Sequence, residues 1–564
     1  MPFNSGTGIT DQIDMLDKLT EVVTSRYLDS VVVNAGGTGH AIGDIIEITA
    51  TGSTSTIVAQ LEVTSVAAGV IDGIRVYRGG AYTVDPTTTT ANAQSGTSGS
   101  GISATFDLTM AAPTWVVNRR TQEAASAVFA AAGTGYTVGD TLTLVDDAGT
   151  VHDDAGGSAG AVATFTVATI SGGGGTGPVA TVTVATAGNY GEVPANPVTV
   201  TGGTGSGCTL TVTWQDGTKA NNDHQLCFLE GEGLAGTDAI HLWIKPFTAA
   251  NGFDDAFNWA IGGMTGYDAT LPLQNQVGVN NTATTGQISS SDGSIQTGSD
   301  DTGSYVILKD TSSGSNMEWW INHTGRRIIL VVKVIGASTT MYSSMYLGFL
   351  NQLATDTEYP YPMWVCGCTS QHNRLWSDST ELTGGLSEVI SHDSASSLSE
   401  AYGPGYVRTP AGTWVSHNMW SSVNSNDRDN LLQYGIWPIM EWAAVALGNA
   451  APPANGGPEM IDTSNFYGLV PSFGVPGAPN FQVKPTPGTG DDYYKLFNLI
   501  PFYRDSTDMA TSQAYGEVDS VFLFFTGNNA VVSEDRFVLG TKRYSIFQNG
   551  NRTQVWSYFA LDED

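Results

Sequence analysis

The chain has 564 residues, with 54 acidic and 22 basic side chains and a net charge of −32 carried by only 13% charged residues. Phosphate contacts need clustered Lys and Arg, so this balance argues against nucleic-acid binding. No apolar run is long enough for a transmembrane helix, and four cysteines in this length do not make a disulfide scaffold.

Met1 to Asp11 lacks the basic and apolar segments of a secretory signal, and residues 1–8 read as a flexible lead. From Thr10 the spacing predicts a helix. Thr10 can cap it, Asp11 and Asp14 suit its first turn, and Met15, Leu16, Leu19, Val22 and Val23 recur on one face. This N-terminal segment, residues 1–28, either packs on its own chain or docks another subunit.

A duplication follows. Gly37-Thr38-Gly39-His40-Ala41-Ile42-Gly43-Asp44-Ile45-Ile46-Glu47-Ile48 returns as Gly133-Thr134-Gly135-Tyr136-Thr137-Val138-Gly139-Asp140-Thr141-Leu142-Thr143-Leu144. Ile74 to Tyr82 returns as Val182 to Tyr190, each followed by a proline (Pro86, Pro194). Gly99-Ser100-Gly101 before Ala104 to Leu108 matches Gly205-Ser206-Gly207 before Leu210 to Trp214. Apolar residues alternate between these landmarks, as in Ile57-x-Ala59-x-Leu61-x-Val63, with glycines at the reversals. Each copy therefore reads as a small antiparallel β module, residues 29–110 and 122–214, joined by a linker at 111–121 that holds Pro113, Trp115, Arg119 and Arg120. Two tandem modules predict a rod or stalk in which each packs mainly on its neighbour.

After the polar linker 215–222 the composition changes, and residues 223–564 read as a large, sandwich-like C-terminal β domain with long loops. Aromatics become frequent, and Arg326 to Val334 is a near-continuous β-branched run behind the turn His323-Thr324-Gly325, the mark of a strand buried on both faces. Met341 to Leu350, Val518 to Phe525, Arg536 to Leu539 and Gln554 to Leu561 predict further strands. Residues 275–304 and 369–432 are rich in Ser, Thr, Asn and Asp and read as surface loops. Leu431 to Leu447 reads as a short helix, followed by a Pro/Gly break at Gly448 to Gly457.

Catalytic patterns fail on context. Gly156-Gly157-Ser158-Ala159-Gly160 has the form of a nucleophile elbow, but Asp153 and Asp154 stand where an apolar strand must precede it. Gly172-x-Gly174-x-x-Gly177 runs into Pro178 and a strand, where a dinucleotide site needs a helix N-terminus. The run Asn424 to Asn430 lacks the glycine and closing glutamate of an EF-hand loop, and Cys366-Gly-Cys368 is too close to make a zinc site alone. The eight histidines show no ligand spacing, and nothing selects a glycosidase carboxylate pair. No catalytic, cofactor-binding or metal residue is therefore assigned, and the expectation is a non-enzymatic protein without cofactor. Trp364, Trp376, Trp414 and Trp420, in or beside the loops, read first as core or subunit-interface residues and second as a stacking surface for a host glycan.

The repeat Gly-Thr-Gly-Tyr-Thr-Val-Gly-Asp-Thr-Leu-Thr-Leu, with Ala187-Gly188-Asn189-Tyr190 and Thr201 to Gly207, resembles modules common in structural proteins of tailed bacteriophages. Gly325 to Lys333, Tyr346 to Leu350 and Tyr359-Pro360-Tyr361-Pro362 look like a second block of such virion proteins. The resemblance covers roughly half the chain and carries over no catalytic residue. It implies a component of the tail, baseplate or fibre, assembled in the bacterial host cytoplasm. Its partners would be other virion proteins, copies of itself and a host surface glycan, with no nucleic acid and no membrane insertion. A capsid-exterior decoration or head-to-tail connector shares this composition. A tailspike-like polysaccharide-degrading enzyme is the alternative from another class, though residues 223–564 lack the regular period of a long β-helix.

Overall fold

The computed structural model describes residues 3–10, 12–84, 86–119, 122–145, 162–172, 174–188, 196–216, 226–234, 239–246, 259–268, 273, 276–279, 304–308, 316–335, 340–368, 405–416, 434–437, 495–503, 513–525, 532–548 and 558–564. The chain is mainly β, with one helix among the described residues. It divides into two compact units. One comprises Met1–Val116, Glu230–Ile240 and Thr302–Asp564, the other Val117–Leu229 and His241–Asp301. The stretch 223–564 that composition groups together is thus shared between them.

The expected flexible lead is instead a strand, β1 (Phe3–Ile9). It runs antiparallel to Asn316–His323, with Phe3 opposite Asn322 and Gly6 opposite Trp319. A Cβ on Gly6 would lie 2.7 Å from the Trp319 ring, so the indole covers this position only because it has no side chain. Backbone pairing leaves no mark in so short and small a segment, which is why composition hides it. Helix α1 (Gln12–Thr24) buries Ile13, Met15, Leu16, Leu19, Val22 and Val23 and lies against β1 and Asn316–His323. Its apolar face is occupied by its own chain.

The first module contains β2 (Tyr27–Thr38), β3 (Ile45–Ile48), β4 (Thr54–Ile57), β5 (Ala59–Ala67), β6 (Val70–Arg78), β7 (Ala81–Val84), β8 (Asn92–Thr97) and β9 (Ile102–Ala111). Six of these form one sheet in the order β2-β9-β8-β3-β5-β6, and β4 pairs with β7 in a ribbon. The first strand of the sheet packs against the last, β2 against β6, so the sheet curls towards a barrel. After β10 (Val116–Arg119), the second module repeats the plan with β11 (Gln122–Thr134), β12 (Thr141–Leu144), β13 (Thr164–Ile170), β14 (Val179–Thr186), β15 (Val198–Thr201) and β16 (Ser206–Asp216). Its order, β11-β16-β15-β12-β13-β14, is that of the first module strand for strand, and β11 packs against β14.

The two cores fill the same space with different residues. Leu61 and Phe106 are buried in the first. Their equivalents in register are Phe165 and Leu210 in the second. The phenyl ring has moved from one strand to another while the pair's volume is kept, the kind of exchange a close-packed core tolerates.

Next in the chain are β17 (Cys227–Glu232), β18 (Ala239–Pro246) and β19 (Trp259–Met264); β18 and β19 pair antiparallel from His241–Met264 to Pro246–Trp259. The C-terminal segment supplies β20 (Tyr305–Val306), β21 (Asn316–His323), β22 (Arg327–Ile335), β23 (Thr340–Phe349), β24 (Met363–Cys366), β25 (Gly405–Arg408) and β26 (Trp414–Ser416). It continues with β27 (Tyr434–Trp437), β28 (Lys495–Asn498), β29 (Ile500–Tyr503), β30 (Gln513–Ala514), β31 (Val521–Phe525), β32 (Arg536–Leu539), β33 (Lys542–Gln548) and β34 (Tyr558–Asp562). A seven-stranded sheet runs β1-β21-β22-β23-β24-β25-β26, and a five-stranded one β28-β31-β34-β33-β32. The two meet at Phe547, whose ring centroid lies 4.9 Å from Trp320 and 5.9 Å from Tyr342. Strand β22 is buried along almost its whole length, as its β-branched run predicts.

Two loop and helix expectations are corrected. Strands β25 and β26 interrupt the Ser/Asn-rich stretch 369–432, pairing Trp364 with Val407 and Arg408 with Trp414. Within Leu431 to Leu447, Tyr434–Trp437 is strand β27, paired with β29, because a short apolar run is as good a strand as a helix. The rest of that stretch, the Gly448–Gly457 break and most of 275–304 lie outside the described residues.

Candidate functional site

The repeated Gly-Asp turn is a carboxylate clip. Asp140 Oδ2 accepts hydrogen bonds from the Thr137 and Thr204 backbone N–H groups, both at 2.9 Å, and from the Thr204 hydroxyl at 2.7 Å. Its Oδ1 accepts from the Thr137 hydroxyl at 3.1 Å. These donors, the Thr137 and Thr204 backbone groups first, pull its pKa down to about 2. Asp44 makes the matching bond to the Ala41 N–H at 2.9 Å. In the second module the clip ties the turn before β12 to the turn before β16.

The clip corrects the third landmark of the repeat. Thr38 pairs with Ile102 and Thr134 with Ser206. Ser100 donates to the Gly39 carbonyl at 3.3 Å, and Thr204 to the Gly135 carbonyl at 3.0 Å. Gly99-Ser100-Gly101 therefore corresponds to Gly203-Thr204-Gly205, two residues before the Gly-Ser-Gly that resembles it. Beside the clip a ring fills the gap between strands. A Cβ on Gly101 would meet the His40 imidazole at 2.0 Å, and one on Gly205 the Tyr136 ring at 2.5 Å. Tyr136 accepts from the Cys208 N–H at 3.4 Å, whereas both ring nitrogens of buried His40 lack a hydrogen-bond partner.

A second cluster joins the first module to the C-terminal sheet. Glu62 on β5 bonds Arg75 on β6 at 3.0 Å and Arg543 on β33 at 2.5 Å. Arg543 also pairs with Glu563, which is wholly buried and reaches Arg536 at 3.1 Å. The Tyr77 ring lies under three guanidinium groups, Arg536 and Arg543 at 4.7 Å and Arg78 at 5.5 Å, and its hydroxyl contacts Arg536. Burial lowers the pKa of both Arg78 and Arg536. The seam draws its arginines from three strands, Arg75 and Arg78 from β6, Arg536 from β32 and Arg543 from β33, and no local sequence pattern joins them.

A third cluster anchors the linker. Trp115 donates its indole N–H to the Thr324 carbonyl at 2.7 Å, and Thr114 Oγ1 lies 2.8 Å from Nδ1 of buried His323. Burial, with Arg327 beside it, pulls the His323 pKa down to about 3. Arg327 itself is buried and held by Asp519 at 2.5 Å, Asn322 at 2.9 Å and Ser520 at 2.7 Å.

The remaining candidates are packing residues or lie outside the described residues. Cys366 and Cys368 are buried, and burial raises both thiols, Cys368 to about 11, which keeps them protonated and poor nucleophiles. Among the described residues no group of three His, Cys, Asp or Glu side chains is placed to hold a metal, and no helix is long and apolar enough to cross a membrane. Trp364 is fully buried, 5.4 Å from Tyr346. Trp414 is half-buried on edge strand β26, opposite Arg408, whose guanidinium stacks 4.0 Å over Tyr361. Trp376, Trp420, Gly156 to Gly160 and Asn424 to Asn430 lie outside the described residues. Gly177 leads into β14, not a helix.

No protein-family model and no curated protein sequence matches this chain.

Proposed function

We propose that the chain is a structural, non-enzymatic component of a tailed-phage virion, associated with the tail, baseplate or fibre, acting in assembly and host attachment. In this reading an N-terminal helix, two tandem β modules and a sandwich-like C-terminal domain form one building part. It works by copy number, many copies on a symmetric particle turning weak contacts into firm attachment. The observation that carries the proposal is the module built twice: one strand order and one clipped turn, reproduced with exchanged core residues and different surfaces. Selection for shape has that consequence; selection for a reactive centre would fix particular side chains. For host attachment, half-buried Trp414 on edge strand β26 is a described candidate for stacking on sugar.

Antibody against the C-terminal segment, applied to negatively stained particles, should decorate the tail. Labelling of the head would favour a capsid decoration, and no labelling would remove the virion role. Purified protein incubated with host capsular polysaccharide should release no reducing ends; clear release would replace this reading with a tailspike-like enzyme.

A further inference from the structure

Strand β11 presents an uncharged, apolar outer surface. Val128 and Phe129 are 64% and 43% exposed, and Ala125, Ser126, Ala130 and Ala131 beside them are exposed as well. No residue from Ala124 to Thr134 on β11, or from Ser206 to Gln215 on its partner β16, carries a charge. The wider stretch between Arg120 and Lys219 contains no Lys or Arg at all.

The first module supplies the control, because its register is the same. Val32 faces Asp107 across β2 and β9, as Val128 faces Thr211 across β11 and β16. At the places of Ala125, Ala130 and Thr211 it carries Asp29, Asn34 and Asp107, and Asn34 donates to Asp107 at 3.2 Å. One scaffold thus has a charged, hydrogen-bonded outer face in one copy and an apolar, uncharged face in the other. The fold does not require the apolar version.

We propose that the β11 face of the second module is a self-association surface whose occupant is a second copy of this chain; the inference rests on the assembly role above. The choice of occupant follows from charge. Between Ala124 and Thr134 and between Ser206 and Gln215 an anionic partner finds no Lys or Arg and a cationic one no carboxylate, and Glu123 at the strand's end is buried. Two chains of net charge −32 repel over most of their surface, and they can approach where neither brings charge. The same strand on a second copy meets that condition, and burying Val128 and Phe129 supplies the attraction.

The test uses full-length protein in sedimentation velocity over a concentration series. Wild type should associate reversibly. Ala125→Asp with Thr211→Asp, which introduces the residue types the first module already carries at these places, should weaken association about tenfold or more through like-charge contact. Its circular dichroism and melting midpoint should be unchanged. Phe129→Ser, which adds no charge, should weaken association too, and Val32→Asp in the first module should not. A wild type that stays monomeric throughout, or a double variant that associates like wild type, overturns the proposal. Double-variant protein that self-associates normally but is lost from particles would assign the face to another virion protein and overturn it equally. Particles labelled by antibody while the protein is monomeric would sink this surface alone; association without labelling would sink the virion reading alone.

Discussion

The two modules share a skeleton and differ almost everywhere it meets its surroundings. Glu47, Glu62, Arg75, Tyr77 and Arg78 on the first module occupy the places of Thr143, Thr166, Thr183, Ala185 and Thr186 on the second. On the first, Glu62 and Tyr77 hold Arg543, which in turn pairs with the buried Glu563. On the second, the face is hydroxyl and methyl, with Thr169 and Thr181 bonded at 2.6 Å. The difference separates two jobs of a β module. The inward-facing residues and the clipped turn specify the barrel, and the outward residues are free to be rewritten for a particular neighbour. Duplication leaves one copy bolted to the C-terminal sheet through Arg543 and the other with a different outer face.

The contrast is broken most severely by cutting the seam. Arg543→Ala strands the buried Glu563 carboxylate with its main partner gone, and removing one member of a buried pair costs about 3–5 kcal/mol. Denaturant unfolding should show this loss, and hydrogen exchange should show it in the first module and the five-stranded sheet. Thr166→Ala, at the place of Glu62, should leave the second module within about 0.5 kcal/mol, as surface changes usually do. Equal losses at the two positions would mean that the faces are not different in kind.

The exchanged phenyl ring gives a smaller effect. Phe165→Leu should cost about 1–2 kcal/mol by leaving a partly collapsed cavity. Adding Leu210→Phe recreates the pairing of Leu61 with Phe106 and should recover most of that loss. Failure of the second change to rescue the first would show that the cores are not interchangeable, despite their common register.

How much of this was legible in the sequence depends on the distance over which each signal acts. The duplication rests on repeated landmarks and local alternation, and the buried β22 and the strand Arg536–Leu539 on short apolar runs, so all three were readable. Strand β1 was not, since its partner lies some 300 residues away and its own side chains are few and small. The Gly-Ser-Gly landmark slipped by two residues, and a slip of two keeps every side chain on its own face. The strand pairings of Thr38 with Ile102 and Thr134 with Ser206, and the hydrogen bonds of Ser100 and Thr204, reveal the true register. Nothing local marks the seam either, because Glu62 and Arg543 meet only when the chain's two ends do.

Acid should distinguish the linker's anchor from the second module without any substitution. His323, against which the linker's Thr114 packs, is neutral in the fold, with a pKa of about 3 against an ordinary 6.5. Between those values the unfolded chain binds a proton that the folded chain refuses. The stability contributed by neutral His323 is therefore complete above pH 6.5 and drains as pH falls towards 3. Asp140 in the second module has the other kind of depression, from 3.8 to about 2. Its contribution is intact above pH 3.8 and is lost only as pH falls through 2. Hydrogen exchange on a descending pH series should loosen the His323 hairpin first and leave the Thr137 and Thr204 amides protected until the more acid range. His323→Gln should flatten the early loss, and Asp140→Asn should expose those two amides at neutral pH. Simultaneous loosening of hairpin and clip would show that one group, rather than these two, governs the acid response.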